Sequence, residues 1–111
     1  MTDKEMLEYA AKAAGIDSDR LKNRYDHWDK DHAPVLVGRA WNPLTDDGDA
    51  LRLAVRLGIS VSFDRLDQGI DERRVFAVYN RGVEFEHLGN DPLAATRRAI
   101  VRAAAEVGRK L

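Results

Sequence analysis

The segment Val75-Phe76-Ala77-Val78-Tyr79 has no charged or small polar side chain at any position. Successive side chains of a strand point to opposite sides, so a strand of this composition is apolar on both faces and demands cover above and below. Its neighbours belong to the same sheet. Upstream, Ile59, Val61 and Phe63 alternate with Ser60, Ser62 and Asp64, the period of a half-buried strand. A polar loop from Arg65 to Arg73, containing Asp67-Gln68-Gly69, connects the two. Downstream, Asn80-Arg81-Gly82 has the residues of a three-residue hairpin turn. Beyond it Val83 and Phe85 alternate with Glu84 and Glu86, which predicts a strand near an edge with its glutamates on the solvated face. Short connections pair consecutive strands antiparallel, so the three form a meander.

Three helical patterns surround this sheet. Thr2 and Glu5 make a capping box, Met6, Leu7, Ala10, Ala11 and Ala14 share one helical face, and Gly15 supplies a left-handed stop, which predicts a helix over Asp3 to Ala14. Thr45 is the N-cap candidate for a second helix, with Asp46, Asp47 and Asp49 suited to the positive end of its dipole. Ala50, Leu51, Ala54 and Val55 form the expected apolar stripe with Leu57 nearby, Arg52 and Arg56 lie opposite, and Gly58 ends the helix. Asp91 before Pro92 begins a third helix that meets no breaker until Gly108. Leu93, Ile100, Ala103, Ala104 and Val107 can share its buried face, with Arg97, Arg98, Arg102 and Arg109 to the side or outside. Between the first two helices, Asp17 to His32 mixes aspartates with basic residues and has no dominant period; it has room for a short strand or hairpin, with Val35-Leu36-Val37 a further strand before Gly38. The expected fold is therefore α+β: a three-layer α/β/α sandwich with a mainly antiparallel sheet and three helices.

With 111 residues the chain has material for one domain, residues 1–111. Hydrophobic residues at 44% against 33% charged exclude a disordered or low-complexity chain. The absence of cysteine removes disulfides, thiolate nucleophiles and cysteine-ligated metal centres. The opening Met1-Thr2-Asp3-Lys4-Glu5 has neither the basic region nor the apolar stretch of a signal peptide, and the apolar runs are short, so a soluble cytoplasmic protein with no membrane partner is expected. Eighteen basic and nineteen acidic side chains leave a net charge of −1, which gives no whole-protein attraction to nucleic acid.

The string Trp41-Asn42-Pro43-Leu44-Thr45-Asp46-Asp47-Gly48-Asp49-Ala50, with Asp91-Pro92 and the run Ala95-Thr96-Arg97-Arg98-Ala99-Ile100-Val101-Arg102-Ala103-Ala104, resembles the phage ABA sandwich domain family. The opening residues and the Ala-Ala-Lys-Ala-Ala-Gly ending at Gly15 are also similar to it, whereas Asp17 to Arg39 has no counterpart. The resemblance implies an α/β/α sandwich and a phage or prophage setting in a bacterial host, and it implies no reaction.

Each candidate site has a structural explanation that competes with a functional one. Asp46, Asp47 and Asp49 around Gly48 lack the alternation and distal glutamate of a calcium loop, and helix capping accounts for them. His27 and His32, with Asp26, Asp29 and Asp31, match no metal-ligand spacing. Trp41 and Asn42 can line a pocket or anchor a loop. The arginines of the third helix make a nucleic-acid module the alternative reading, although no stacking aromatic accompanies them. A small hydrolase is the second alternative, resting on the alternation of Glu84 and Glu86; Ser18, Ser60, Ser62 and His87 sit in no nucleophile context. The constellation that can converge is Trp41, Asn42, Asp46 and Asp49 with Arg97 and Arg98, the acids facing planar donors. No metal or cofactor is expected. The expected function is that of a non-catalytic accessory protein binding a host or phage protein or a small ligand, with homo-oligomerisation through an edge strand or the alanine-rich helix.

Overall fold

Each helix starts where a side chain can take up an amide left free by the first turn. A computed structural model describes residues 1–16, 35–36, 39–64 and 73–111. The readings made for Asp17 to His32, His27 and His32 included, and for most of the loop from Arg65 to Arg73 lie outside the described residues. Helix α1 (Asp3–Ala13) is opened by the capping box: the Thr2 hydroxyl accepts from the Glu5 amide at 3.1 Å, and the Glu5 carboxylate accepts from the Thr2 amide at 3.1 Å. That second bond holds the Glu5 carboxyl below its ordinary range. Helix α2 (Asp47–Leu57) is capped by Asp46, whose carboxylate accepts from the Asp49 amide at 2.8 Å. Thr45, the expected cap, instead donates its hydroxyl to the Asn42 carbonyl at 3.4 Å. Gly58 closes α2 at φ 67°, a left-handed conformation that glycine adopts without a Cβ penalty. Helix α3 (Pro92–Arg109) is capped by Asp91 accepting from the Ala94 amide at 3.0 Å, with Pro92 at the first helical position.

Strands β1 (Val35–Leu36) and β2 (Arg39–Ala40) form a small antiparallel ladder of their own. The main sheet has the order β3 (Ser60–Phe63), β4 (Arg74–Tyr79), β5 (Gly82–His87), antiparallel throughout. The hairpin is tighter than its sequence suggests, because Tyr79 pairs with Gly82 and only Asn80 and Arg81 form the loop. The Tyr79 ring lies over Gly82, where an added Cβ would come 3.1 Å from the phenol oxygen.

The α+β class, the antiparallel sheet and three helices are present among the described residues. Helical cover on both faces of the sheet is not seen among the described residues. Helix α3 packs against β4 and β5 on the face that carries Val75 and Ala77, both fully buried, and α1 and α2 pack on α3. The opposite face carries Phe76, Val78, Val83 and Phe85, of which Val78, Val83 and Phe85 are 42–50% exposed. The glutamates of β5 are thus on the face not expected for them. Glu84 and Glu86 pair with Ala77 and Val75 and turn toward α3, where Arg102 meets both carboxylates. An ion pair across the helix–sheet layer makes burial of these acids tolerable.

Two helical stripes also differ from expectation. In α2 the buried residues are Asp49, Ala50, Leu53 and Ala54, while Leu51 is 65% and Val55 74% exposed. Rotating the helix in this way puts the Asp49 carboxylate under the preceding loop. In α3, Leu93 is exposed, and Ala99, Ile100, Val101, Ala103, Ala104 and Ala105 form a band buried on more than one side.

Gly108 does not end α3 but lies within it. An added Cβ there would sit 1.9 Å from the Tyr9 carbonyl oxygen, so α1 crosses α3 with backbone nearly touching backbone. Arg98 meets Asp3 at 3.2 Å near the start of α1, and Lys12 reaches the Leu111 carbonyl at 3.5 Å near its end, so the two helices run in the same direction. Replacing Gly108 with alanine forces them apart, and the overpacking should lower stability by about 1–3 kcal/mol or more. A thermal melt of Gly108→Ala should show a clear drop in midpoint, whereas Leu93→Ser, at an exposed position of the same helix, should melt like the parent.

Candidate ligand-binding site

The stretch Trp41-Asn42-Pro43-Leu44 enters α2 through a knot of backbone bonds. The Asn42 side-chain oxygen accepts from the Leu44 amide at 3.0 Å, forming the turn that its residue type favours. The Asn42 carbonyl accepts from the Thr45 amide at 3.1 Å and the Asp46 amide at 2.9 Å. Its own amide donates to Asp49 Oδ2 at 3.1 Å, and the other Asp49 oxygen accepts from Arg52 Nη2 at 2.9 Å. The Asp49 side chain is completely buried, so its charge is sustained by these donors and not by water. Pro43 and Trp41 are buried beside it.

The two motifs meet, but through partners other than those expected. Arg97 donates Nε to the Leu44 carbonyl at 2.8 Å and Nη1 to Asp47 Oδ1 at 2.6 Å, clamping the loop onto α3. Asp46 caps its own helix and lies 3.8 Å from Arg52, and Asp49 serves the loop and Arg52. Arg98 turns away to Asp3 of α1. The six candidate residues therefore divide: Trp41, Asn42, Asp46, Asp49 and Arg97 build one structure, and Arg98 belongs to the α1–α3 contact.

What this structure supports is a cavity of about 720 Å³, open to solvent, between the end of α1 and the outward side of α2. Trp41 and Asp49 form part of its wall, Ala14 and Ile16 contribute from the residues that follow α1, and Leu51 and Val55 line it from α2. Arg52 and Arg56 also line it. The Arg56 Nε donates to the Ala14 carbonyl, which ties the end of α1 to the end of α2. The size suits a small organic molecule, since such sites run from about 300 to 1,000 Å³. The exposed leucine and valine of α2 carry no separate sequence signal for this site, because at their spacing they read as part of the apolar stripe.

A second polar cluster joins Glu84 and Glu86, the acids of the hydrolase alternative, to partners on α3 that their alternation did not reveal. Glu84, Glu86, Arg98, Arg102 and Glu106 line a cleft of about 380 Å³ with Met1 and Met6. The Tyr79 hydroxyl donates to Glu84 Oε2 at 3.2 Å, and Arg102 Nη2 is 3.1 Å from Glu84 Oε1. Arg109 holds the Glu106 carboxyl below its usual range through a side-chain hydrogen bond. Partial burial, and then the nearby Glu84 charge, raise the Tyr79 phenol above its ordinary value. Arg102 bridges Glu84 and Glu86 while Arg109 holds Glu106, so each acid of the cluster has a guanidinium partner, which is the chemistry of a structural network.

Among the described residues, no group of three or more His, Cys, Asp or Glu side chains is arranged to hold a metal ion. Ser60 and Ser62 lie on exposed strand positions. Among the described residues, no helix is long and apolar enough to cross a membrane. Comparison with protein-family models, with curated proteins and with solved structures finds no match.

The clamp can be measured by a double-mutant cycle between Arg97 and Asp47. Asp47 is 64% exposed at its side chain, so the coupling should be modest, about 0.5–1 kcal/mol, while Arg97→Ala should cost about 1–2 kcal/mol because the Leu44 carbonyl also loses its donor. The corresponding cycle between Asp49 and Arg98 should be additive.

The tyrosine cluster predicts a pH dependence. A phenol whose folded pKa lies above its unfolded value contributes stability that is present below the unfolded pKa and is lost as the pH rises through the folded one. Stability should therefore decline above about pH 10. In a spectrophotometric titration the Tyr79→Phe difference curve should place Tyr79 above an ordinary phenol, and Glu84→Gln should bring it down.

Proposed function

We propose that this chain is a phage or prophage accessory protein that works in the cytoplasm of the bacterial host by binding, as in host interaction or antagonism of a defence system, and not by catalysis. The observation that supports this reading is the open cavity beside Trp41, with an apolar wall, a buried carboxylate and two guanidiniums. Its polar groups hold one another in place, with no nucleophile and base aligned among the described residues. A ligand there would be held, not transformed.

Nucleic-acid binding through α3 is the less favoured reading. Arg97, Arg98, Arg102 and Arg109 are engaged with Asp47, Asp3, the two glutamates of β5 and Glu106. Guanidiniums already paired with carboxylates offer little to a phosphate backbone. The hydrolase alternative weakens for the same reason, because Arg102 occupies Glu84 and Glu86.

Self-association belongs to the same proposal. The outer sheet face presents Phe76 and Phe85 with ring centroids 6.1 Å apart, and the Arg74 guanidinium carbon lies 5.0 Å from the centre of the Phe76 ring. Apolar side chains clustered on an exposed face mark an interaction surface, and a second copy of the chain offers the same face in return.

Native mass spectrometry of protein expressed in a bacterial host, with and without phage infection, tests both parts. The expected spectrum shows a dimer or larger assembly carrying a small molecule. Val55→Glu, which places a charge on an exposed cavity wall, should lose the molecule without a change in melting midpoint. Phe85→Asp should yield monomer. A monomeric parent free of ligand in both preparations would refute the proposal.

A further inference from the structure

The two guanidiniums of the cavity are not equivalent. Arg52 is matched: its Nη2 lies 2.9 Å from Asp49 Oδ1 and 3.8 Å from Asp46 Oδ2. Arg56 is not. Its Nε is used by the Ala14 carbonyl, and an added Cβ at Gly15 would lie 3.3 Å from Nη2, so the group is laid across the last turn of α1. Among the described residues no carboxylate pairs with Arg56, and its terminal nitrogens carry no hydrogen bond to any of them. The α1 carbonyl orients the guanidinium but cannot neutralise it.

The remainder of the cavity is chiefly apolar, with Val55 and Leu51 exposed on one side and Ala14 and Ile16 on the other. A guanidinium with no carboxylate partner among the described residues, at the rim of an apolar cavity, selects a ligand that carries the opposite charge at one end. A planar guanidinium with free terminal donors takes carboxylate, sulfonate or phosphate oxygens in two-pronged fashion. We propose that the cavity binds a small organic anion: an apolar body seated against α2 and the end of α1, with its single anionic group on Arg56. This inference rests on the reading of the cavity as a binding site and adds the class of ligand.

A matched pair of probes separates the two. The anionic probe is 8-anilinonaphthalene-1-sulfonate, and the neutral one is N-phenyl-1-naphthylamine, which has the same body without the sulfonate. Fluorescence titration of the folded protein should give saturable binding of the anionic probe at one site per chain, with affinity about tenfold above the neutral probe, equivalent to about 1.4 kcal/mol. Arg56→Gln should remove that preference, Arg56→Lys should retain most of it, and Val55→Glu should abolish binding of both probes. Melting midpoints of the variants establish that they are folded. Equal binding of the two probes, or a preference that survives Arg56→Gln, would overturn the anion inference while leaving the cavity as a binding site. Absence of saturable binding by either probe would overturn both.

Discussion

The crossing of α1 over α3 at Gly108 is the contact on which the rest of the molecule depends. Backbone approaches backbone there so closely that no side chain fits between. This contact lets α3 serve as a central element, with the sheet against one side and helices on others. The alanines at 99, 103, 104 and 105 are all fully buried, and their small volume is what permits neighbours to close in from several directions. A bulkier helix would need a larger shell than a chain of this length can supply.

Polar links then orient the elements that the apolar contacts bring together. Arg97 binds the loop before α2, Arg98 binds the start of α1, and Arg102 binds the edge strand, where it also donates to the Phe85 carbonyl at 3.0 Å. One helix thus distributes its cations to three different partners. The partly exposed pairs contribute little individually. Their main effect is on geometry, since each fixes the rotation of an element that would otherwise slide on a surface of alanine and valine. Arg56 stands outside this scheme: its Nε donates to the Ala14 carbonyl, and among the described residues it has no carboxylate partner.

The buried Asp49 shows how a site of this kind is assembled. Its carboxylate organises the Asn42 amide and Arg52, and Trp41, next to Asn42, joins Asp49 in the cavity wall. The amphipathic pattern of α2 would have turned Leu51 and Val55 inward. The hydrogen-bonded carboxylate instead turns Asp49 inward, and the displaced apolar side chains become a cavity wall. A satisfied polar network has outweighed the burial of two apolar residues.

Local chemistry was legible in the sequence. The capping box at Thr2 and Glu5, the stop at Gly58, the Asp91-Pro92 start and the alternation of β3 each depend on residues a few positions apart, and their physics is complete within that span. The three described helices and the antiparallel meander follow from these signals. Facing was decided only by the tertiary structure. Glu84 and Glu86 look like solvent-facing residues until Arg102 arrives from α3; Leu51 and Val55 look like core until Asp49 claims the inner side; Gly108 looks like a helix end until Tyr9 crosses it. In each case the deciding partner is distant in sequence, and an alternating or helical period fixes only that two faces differ, not which of them the rest of the chain will cover.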